Sequence, residues 1–440
     1  MEKNLTEGSV AKTIFRFSLP YLLSYFLQTL YGMADLFIIG QYSGVESTTA
    51  VAVGSQVMHM LTVMIVGLSM GGIVMIGRAV GAKDQKQAAK SVGNAVTLFM
   101  TLAVILTISL LLLVDPVVRV MSTPVEAVSG TRAYLIICFL GIPFITAYNV
   151  ISSIFRGMGD SKSPMYFIAV ACAANILLDY VFIGGLNLGP SGAALGTISA
   201  QIISVIVSLF LVRKKIRLTK GDLKPEKKTM LDILKIGVPV CLQDGFIQVS
   251  FIVITIIANQ RGLNDAAAVG IVEKLIGILF LVPSSMLQTV SVLCSQNIGA
   301  GKHDRARKTL WYSSAITVVW GIFVVFLMYV RSEAIIGLFS NSKEAVYLGC
   351  EYMRSYVWDC VIAGIHFCFS GYFCAYGLSG ISFLHNAISI VAVRIPFSYL
   401  ASVKYPTTLF PMGMASPAGS FLSVLICTAA YVLLKPGQTS

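Results

Sequence analysis

Charge is what this chain has least of. Only 12% of its 440 residues are Asp, Glu, Lys or Arg, about half the share of an ordinary soluble domain. That balance argues against a free-standing soluble enzyme and points to lipid. Histidine is scarce too: there are four, scattered, with no H-E-x-x-H among them. The nine cysteines contain no C-x-x-C and fall mostly inside apolar runs, so they are read as small buried side chains rather than disulfides or metal ligands. A phosphate-binding loop is missing. Its nearest approach, Gly301-Lys302, has no glycine five positions earlier and carries His303 where Ser or Thr belongs. No G-x-S-x-G and no glycine-rich dinucleotide fingerprint stands out. A primary pump and a hydrolytic enzyme are therefore disfavoured, no cofactor is expected, and an ion gradient is left as the source of energy. The opening "MEKNLTEGSVAK" is polar, so no cleavable leader is expected before the first apolar run.

What the chain does have is apolar sequence in lengths that match a bilayer. Twelve runs are found near residues 14–39, 50–77, 92–114, 133–155, 164–186, 191–212, 236–258, 267–293, 310–330, 350–374, 383–403 and 411–434. Each is long enough to cross a hydrocarbon core of roughly 30 Å as helix. The expected fold is an all-α polytopic membrane protein of twelve transmembrane helices. A net charge of +12 could suggest nucleic acid, but the placement of the cations decides otherwise. With the N-terminus in the cytoplasm, 23 of the 32 Lys and Arg fall on the cytoplasmic side, the bias of a multi-pass cell-membrane protein. Both termini are then cytoplasmic. The densest cluster, "RKKIRLTKGDLKPEKK" from Arg213 to Lys228, reads as a linker that sets topology. Residues 115–132 and 331–350 carry no signal clear enough to assign.

The chain is written twice, at a spacing of about 218 residues. "LPYLLSYFLQ" (19–28) matches "VPVCLQDGFIQ" (238–248), "VGAKDQKQAAK" (80–90) matches "IGAGKHDRARK" (298–308), and "GPSGAALG" (189–196) matches "FPMGMASPAG" (410–419). Six spans per half make the two repeats parallel. The expected organisation is an N-terminal lobe over 1–212, a basic cytoplasmic linker over 213–235 and a C-terminal lobe over 236–440. Two pseudo-symmetric lobes around a cavity suit alternating access. Small residues four apart, Gly67 and Gly71, Gly192 and Gly196, Ala415 and Gly419, are read as close-packing positions and no more.

Of 20 acidic residues, five sit well inside apolar runs: Asp35, Asp179, Asp244, Glu273 and Asp359. A charge at mid-bilayer costs roughly 2.5–3.5 kcal/mol, so such groups face a wet cavity or a partner. Asn175 lies one helical turn before Asp179, and Ser24, Gln28, Tyr31 and Asp35 follow a 3.6-residue period. Thr197 offers a hydroxyl to the same network. Two carboxyls brought close raise one another's proton affinity, and carboxylate, amide and hydroxyl oxygens equally suit a sodium ion. Proton and sodium both stay open. A structural ion pair is the plain alternative. Pro20 should loosen the helix that carries Asp35. In the second half Asp244 shares a face with Gln248, and Asp359 with His366, while Arg394 calls for an acidic partner.

The sequence resembles the multidrug and toxic compound extrusion (MATE) family over nearly its full length. The likeness is carried by the two-by-six repeat, "LPYLLSYFLQTLYGMADLFIIG" (19–40), "FRGMGDSKSP" (155–164), "AANILLDYVFIGG" (173–185) and "GPSGAALGTISAQ" (189–201). It is nearest the bacterial branch whose coupling carboxylates lie in the N-terminal lobe. The resemblance implies cation-driven export of amphipathic, often cationic, compounds, with Asp35, Asn175 and Asp179 in the coupling set, Tyr31, Tyr134 and Thr197 around them, and Pro20 as hinge. A sodium ion would be held by Asp35, Asn175, Asp179 and Thr197. The cargo cavity is expected to draw on Gln28, Asp244, Gln248, Asp359, His366 and Glu273. Met33 stands where related members can carry a polar residue, and Cys374 stands in the second half where Arg156 does in the first. The partners expected are small molecules and the bilayer, with no nucleic acid and a monomeric protein. The rival readings are a flippase for a lipid-linked head group, which would want a basic cavity, and a receptor-like or structural membrane protein.

Overall fold

The structure, a computed structural model, describes residues 4–215, 219, 221–340 and 342–435. Among these the regular structure is helical throughout. The first half runs α1 (Val10–Tyr42), α2 (Val45–Gly81), α3 (Gln85–Leu112), α4 (Val114–Val120), α5 (Val125–Leu140), α6 (Ile142–Gly157), α7 (Lys162–Asp179), a π-helical turn (Tyr180–Gly185) and α8 (Gly189–Lys215). The second half runs α9 (Lys227–Arg261), α10 (Leu263–Leu279), α11 (Leu281–Gly299), α12 (His303–Gly337), α13 (Lys343–Tyr356) and α14 (Asp359–Ala375). It ends with α15 (Ser379–Ser389), a second π-helical turn (Ile390–Arg394), α16 (Ile395–Lys404), α17 (Phe410–Gly413) and α18 (Ala415–Leu434).

Ten helical runs are long and apolar enough to cross a membrane alone. Two further spans are bent pairs, α5–α6 at 49° and α13–α14 at 42°. That makes twelve spans, six in each half, and the bend falls in the fourth span of both. The helices overrun the apolar segments because a helix does not stop where the hydrocarbon does: α2 has 37 residues and α12 has 35. The stretches without a clear sequence signal hold α4, the start of α5, the end of α12 and the start of α13.

The repeat is visible in the backbone as well as in the residues. Lys83 (φ 58°) and Gly301 (φ 71°) are left-handed at the ends of α2 and α11, and Gly159 (φ 84°) and Gly377 (φ 74°) at the ends of α6 and α14. Both pairs stand 218 residues apart. Each turn closes its helix in the same way: Asp84 N–H reaches back to the Ala79 carbonyl at 3.0 Å and Lys302 N–H to Asn297 at 2.8 Å. Such six-to-one bonds need a left-handed residue inside them, and Gly supplies it at three of the four positions without a Cβ penalty.

The chain packs as two compact units. One comprises chiefly Leu19–Gly237; the other joins Leu5–Ser18 to the chain from Val238 onward. The first unit has its core around Ile38, Ile39, Val51, Tyr134, Phe139 and Ile183. The second has its core around Val269, Val272, Val324, Tyr352, Tyr356 and Val357. Helix α1 changes unit one residue before Pro20, and α9 changes unit one residue before Pro239.

Much of the basic linker is either helix or strapped to α3. Glu226 N–H donates to Asn94 Oδ1 at 2.7 Å, Lys90 Nζ to Glu226 Oε1 at 2.5 Å, and Thr97 Oγ1 to the Leu223 carbonyl at 3.0 Å. Gly93 sits under the strap, where a Cβ would fall 2.1 Å from the Asp222 carbonyl oxygen. The hydrogen bond from Lys90, with a smaller one from Thr229, holds the Glu226 carboxyl below its ordinary range. A carboxyl depressed on folding stabilises fully above its unfolded value, about 4.3, and that contribution fades as pH falls through the depressed value. Hydrogen exchange of the Lys224 and Glu226 amides should therefore be slow at pH 7 and lose protection as acidification protonates the Glu226 carboxyl. In Gly93→Val the same amides should be unprotected at pH 7; unchanged protection there would dissolve the strap.

Candidate functional site

The first unit buries a polar cluster in its apolar interior. Asp35 lies two turns from the end of α1, Asn175 and Asp179 on the last turn and a half of α7, and Thr197 in the third turn of α8. Asp35 is 4% exposed, and Asn175 and Asp179 are wholly buried. Thr197 Oγ1 donates to Asp35 Oδ2 at 3.1 Å. The other polar neighbours of Asp35 are Asp179 and Asn175. Asp35 Oδ1, both Asp179 oxygens and both polar atoms of Asn175 are buried without a hydrogen-bond partner. Groups of that kind cost about 1–3 kcal/mol each when left unbonded. The cluster is thus short of positive charge: no Lys or Arg among the described residues pairs with either acid.

The backbone explains how two carboxyls come to meet. Asp179 ends α7 as the π-helical turn begins, and the wider turn redirects the chain directly after the acid. Opposite it α8 presents Gly196, where a Cβ would stand 2.1 Å from Asp179 Oδ1. The carboxylate rests on bare backbone. The four-residue spacing of small residues marks Gly196 for packing alone; the approach it permits is that of the acid itself. Tyr134 is buried in α5 beside Cys138, with Asp35 and Tyr31 as neighbours, and its ring packs on Gly54, where a Cβ would fall 2.3 Å away. Tyr31 is half-buried and partners Gln201.

Gln201, one turn after Thr197 on the same face of α8, is a member of this network absent from the sequence-based set. Its signal is the four-residue step from Thr197. Arg156 is a second omission. Its guanidinium lies 4.0 Å from the centroid of the Tyr21 ring, so the end of α6 grips α1 immediately after Pro20. Pro20 itself lies inside an unbroken α1, with Ser24 Oγ donating to its carbonyl at 2.8 Å. Gln28 is half-buried on the same helix.

The second unit holds the remaining sites and arranges them differently. Asp359 opens α14 and is 3% exposed; His366, two turns on, places Nε2 3.4 Å from Ser420 Oγ. Glu273 accepts from Thr255 Oγ1 at 3.1 Å. Asp244 and Gln248 are half-buried on α9, whereas the fully buried residue there is Gln243, which accepts from Ser382 Oγ at 2.7 Å. Arg394 has Asp359 and Glu273 as electrostatic neighbours, but its direct contacts are with other groups. It donates to the Tyr356 hydroxyl at 2.9 Å and stacks 4.6 Å from the Phe251 ring centroid, with no carboxylate in ion-pair contact among the described residues. The π-helical turn recurs after Ser389, and Gly419 faces Ser389 Oγ as Gly196 faces Asp179. In the second unit the group set against the glycine is the Ser389 hydroxyl rather than a carboxylate.

With two six-span repeats and this cluster in view, comparison with known proteins becomes informative. The MatE family model matches residues 20–181 and 239–400, one copy per repeat and most of the chain. The chain belongs to the MatE family. Among curated MATE-type relatives it is 27% identical over 439 residues to "Probable multidrug resistance protein YoeA" of Bacillus subtilis (strain 168), covering 97% of this chain and 94% of the relative. It is 30% identical to "Probable multidrug resistance protein YpnP" of the same organism, covering 91% and 90%. A solved MATE structure in complex with MaL6 superposes with a TM-score of 0.92 at 22% identity, over 99% of both chains. The MATE fold is thus shared across the full length described here.

Proposed function

We propose that this protein is a secondary antiporter that exports amphipathic or cationic small molecules in exchange for H⁺ or Na⁺. The observation that carries the reading is the buried Asp35–Asp179 pair, with three of its four carboxyl oxygens unbonded and no Lys or Arg paired with it among the described residues. Two neighbouring carboxyls cannot both stay ionised away from water without cost, so a proton taken up by the pair relieves the repulsion. The donor set equally fits a hard cation that takes oxygen ligands: Asp35, Asp179, the Asn175 amide oxygen and the Thr197 hydroxyl would hold Na⁺. Either way the pair takes up positive charge on the side where the driving ion is plentiful and releases it on the other.

Only an ion that binds the two conformations unequally can bias them. Asp35 and Asp179 supply that inequality because they lie on different helices, α1 and α7, and meet only when those helices and α8 pack together. Pro20 would let α1 respond to their occupancy. Cargo would be met by the acids and amides of the second unit, Asp244, Gln248, Asp359, His366 and Glu273, with Gln28 from the first. The printed names of YoeA and YpnP support multidrug cargo, and the positive-inside distribution supports cytoplasmic termini in a multi-pass cell-membrane protein.

The deciding experiment is dye efflux from proteoliposomes under separately imposed pH and sodium gradients. Efflux should follow one of the two and stop when that gradient is dissipated with an ionophore. Flux indifferent to both would end the antiport reading, and gradient-independent movement of a lipid-linked head group would favour the flippase.

A further inference from the structure

One cavity lies apart from the coupling cluster. It is an open depression on the second unit, where Gly8, Ser9 and Val10 meet the turn that leads into α12, with a volume of ≈ 760 Å³. Its charged walls are Lys302, His303, Arg305 and Lys308, with Asp304 as the single acid and Tyr312 beyond. Asp304 is 90% exposed and lies 3.7 Å from Arg307.

The cations hold the chain mainly through its carbonyls, and the Glu7 carboxylate acts on Arg305 as well. Lys302 Nζ donates to the Thr6 carbonyl at 2.9 Å, and Arg305 to the carbonyls of Gly8 at 2.6 Å and Glu7 at 2.8 Å. Carbonyls accept these bonds without cancelling charge. Arg305 Nε is buried and unbonded. His303 Nδ1 lies 2.9 Å from the Tyr376 hydroxyl. Lys308 makes no ion pair among the described residues. One turn further along α12, Trp311 and Tyr312 are each about half exposed, at the level where a span enters the membrane and amphipathic rings collect. A pocket that is cationic at head-group depth and aromatic on its apolar side is matched by an anionic amphiphile.

We infer that this cavity binds a phosphate ester anion, presented as the head group of an anionic phospholipid, with Lys308, Lys302 and Arg305 as its counter-charges. The guanidinium and ammonium groups provide charge-assisted donors to phosphate oxygens, and Tyr312 lies against the glycerol and upper acyl region. Because Val10 opens α1, a bound head group orders the start of the helix that carries Asp35 further on.

The test is thermal unfolding of the full-length protein in detergent, titrated with phosphatidylglycerol, phosphatidylcholine or inorganic phosphate. Phosphatidylglycerol should raise the apparent melting temperature and phosphatidylcholine should not. Lys308→Glu should weaken the phosphatidylglycerol response about tenfold or more, since each basic residue contributes about a factor of five at an anionic surface and this change reverses one. Lys86→Glu, an exposed charge reversal elsewhere, should leave the response intact. A Lys308-dependent response to inorganic phosphate as strong as that to the lipid would keep the anion site and assign it to a soluble ligand. A lipid response that survives Lys308→Glu, that falls equally with Lys86→Glu, or that is absent from the wild type, overturns the inference.

Discussion

Asp179→Asn should reach the membrane, fold, and still fail to extrude dye against a gradient, with efflux down to the level of protein-free vesicles. The amide keeps the volume of the carboxyl and removes its ability to gain or lose positive charge. A driving ion then has no unequal affinity for the two conformations, and a ligand that binds both equally shifts neither, however steep its gradient. Asp35→Asn should do the same, because the pair works as a unit. Facilitated, downhill movement of cargo is the control that separates lost coupling from lost folding: it should persist in both variants. Uphill efflux by either variant at wild-type rates would take the carboxyl pair out of the mechanism. Asp359→Asn offers the contrast within one protein. Its carboxyl belongs to a cluster that already contains Arg394 and Tyr356, and its loss should alter which cargo is carried while uphill transport of some cargo remains.

The architecture was legible because the repeat is redundant. A 218-residue spacing read from the segments 80–90 and 298–308 reappears in the left-handed turns at Lys83 and Gly301, where the same six-to-one bond must close. Embedded acids were legible because a carboxyl among apolar residues has few bland explanations. What the sequence did not disclose depends on where elements end and what they touch. Nothing in "ILLDYVFIGG" announces a π-helical turn, since its residues suit an α-helix as well. Leu5–Ser18 packs with the second half of the chain, a long-range choice made by contacts such as Arg305 with the carbonyls of Glu7 and Gly8. Arg156 on Tyr21 was out of reach for the same reason. Arg394 shows the limit most clearly: charge counting pointed to an acid, and Asp359 and Glu273 do act on it, but its direct contacts are a hydroxyl and a ring.

Gly196 is where those two kinds of information meet, and it yields the second large effect. Added to Gly196, a methyl group would stand 2.1 Å from Asp179 Oδ1, closer than any two such atoms can come, so the carboxylate or α8 must move. Overpacking of this kind costs about 1–3 kcal/mol in a well-packed interior, which a twelve-span protein can absorb without unfolding. The coupling pair cannot absorb it, because a displaced Asp179 no longer meets Asp35. Gly196→Ala should therefore lose most uphill efflux, at least about tenfold if a misplacement near 1 Å carries its usual penalty, while its melting temperature falls by only a few degrees. A comparable change in the second unit, Gly419→Ala, meets Ser389 Oγ at 2.8 Å. A serine hydroxyl can rotate to another staggered position, and no coupling carboxyl stands behind it. Gly419→Ala should keep at least half of the wild-type efflux. Equal losses at the two glycines would mean that close helix packing, common to both repeats, matters here and that the acid beneath Gly196 does not.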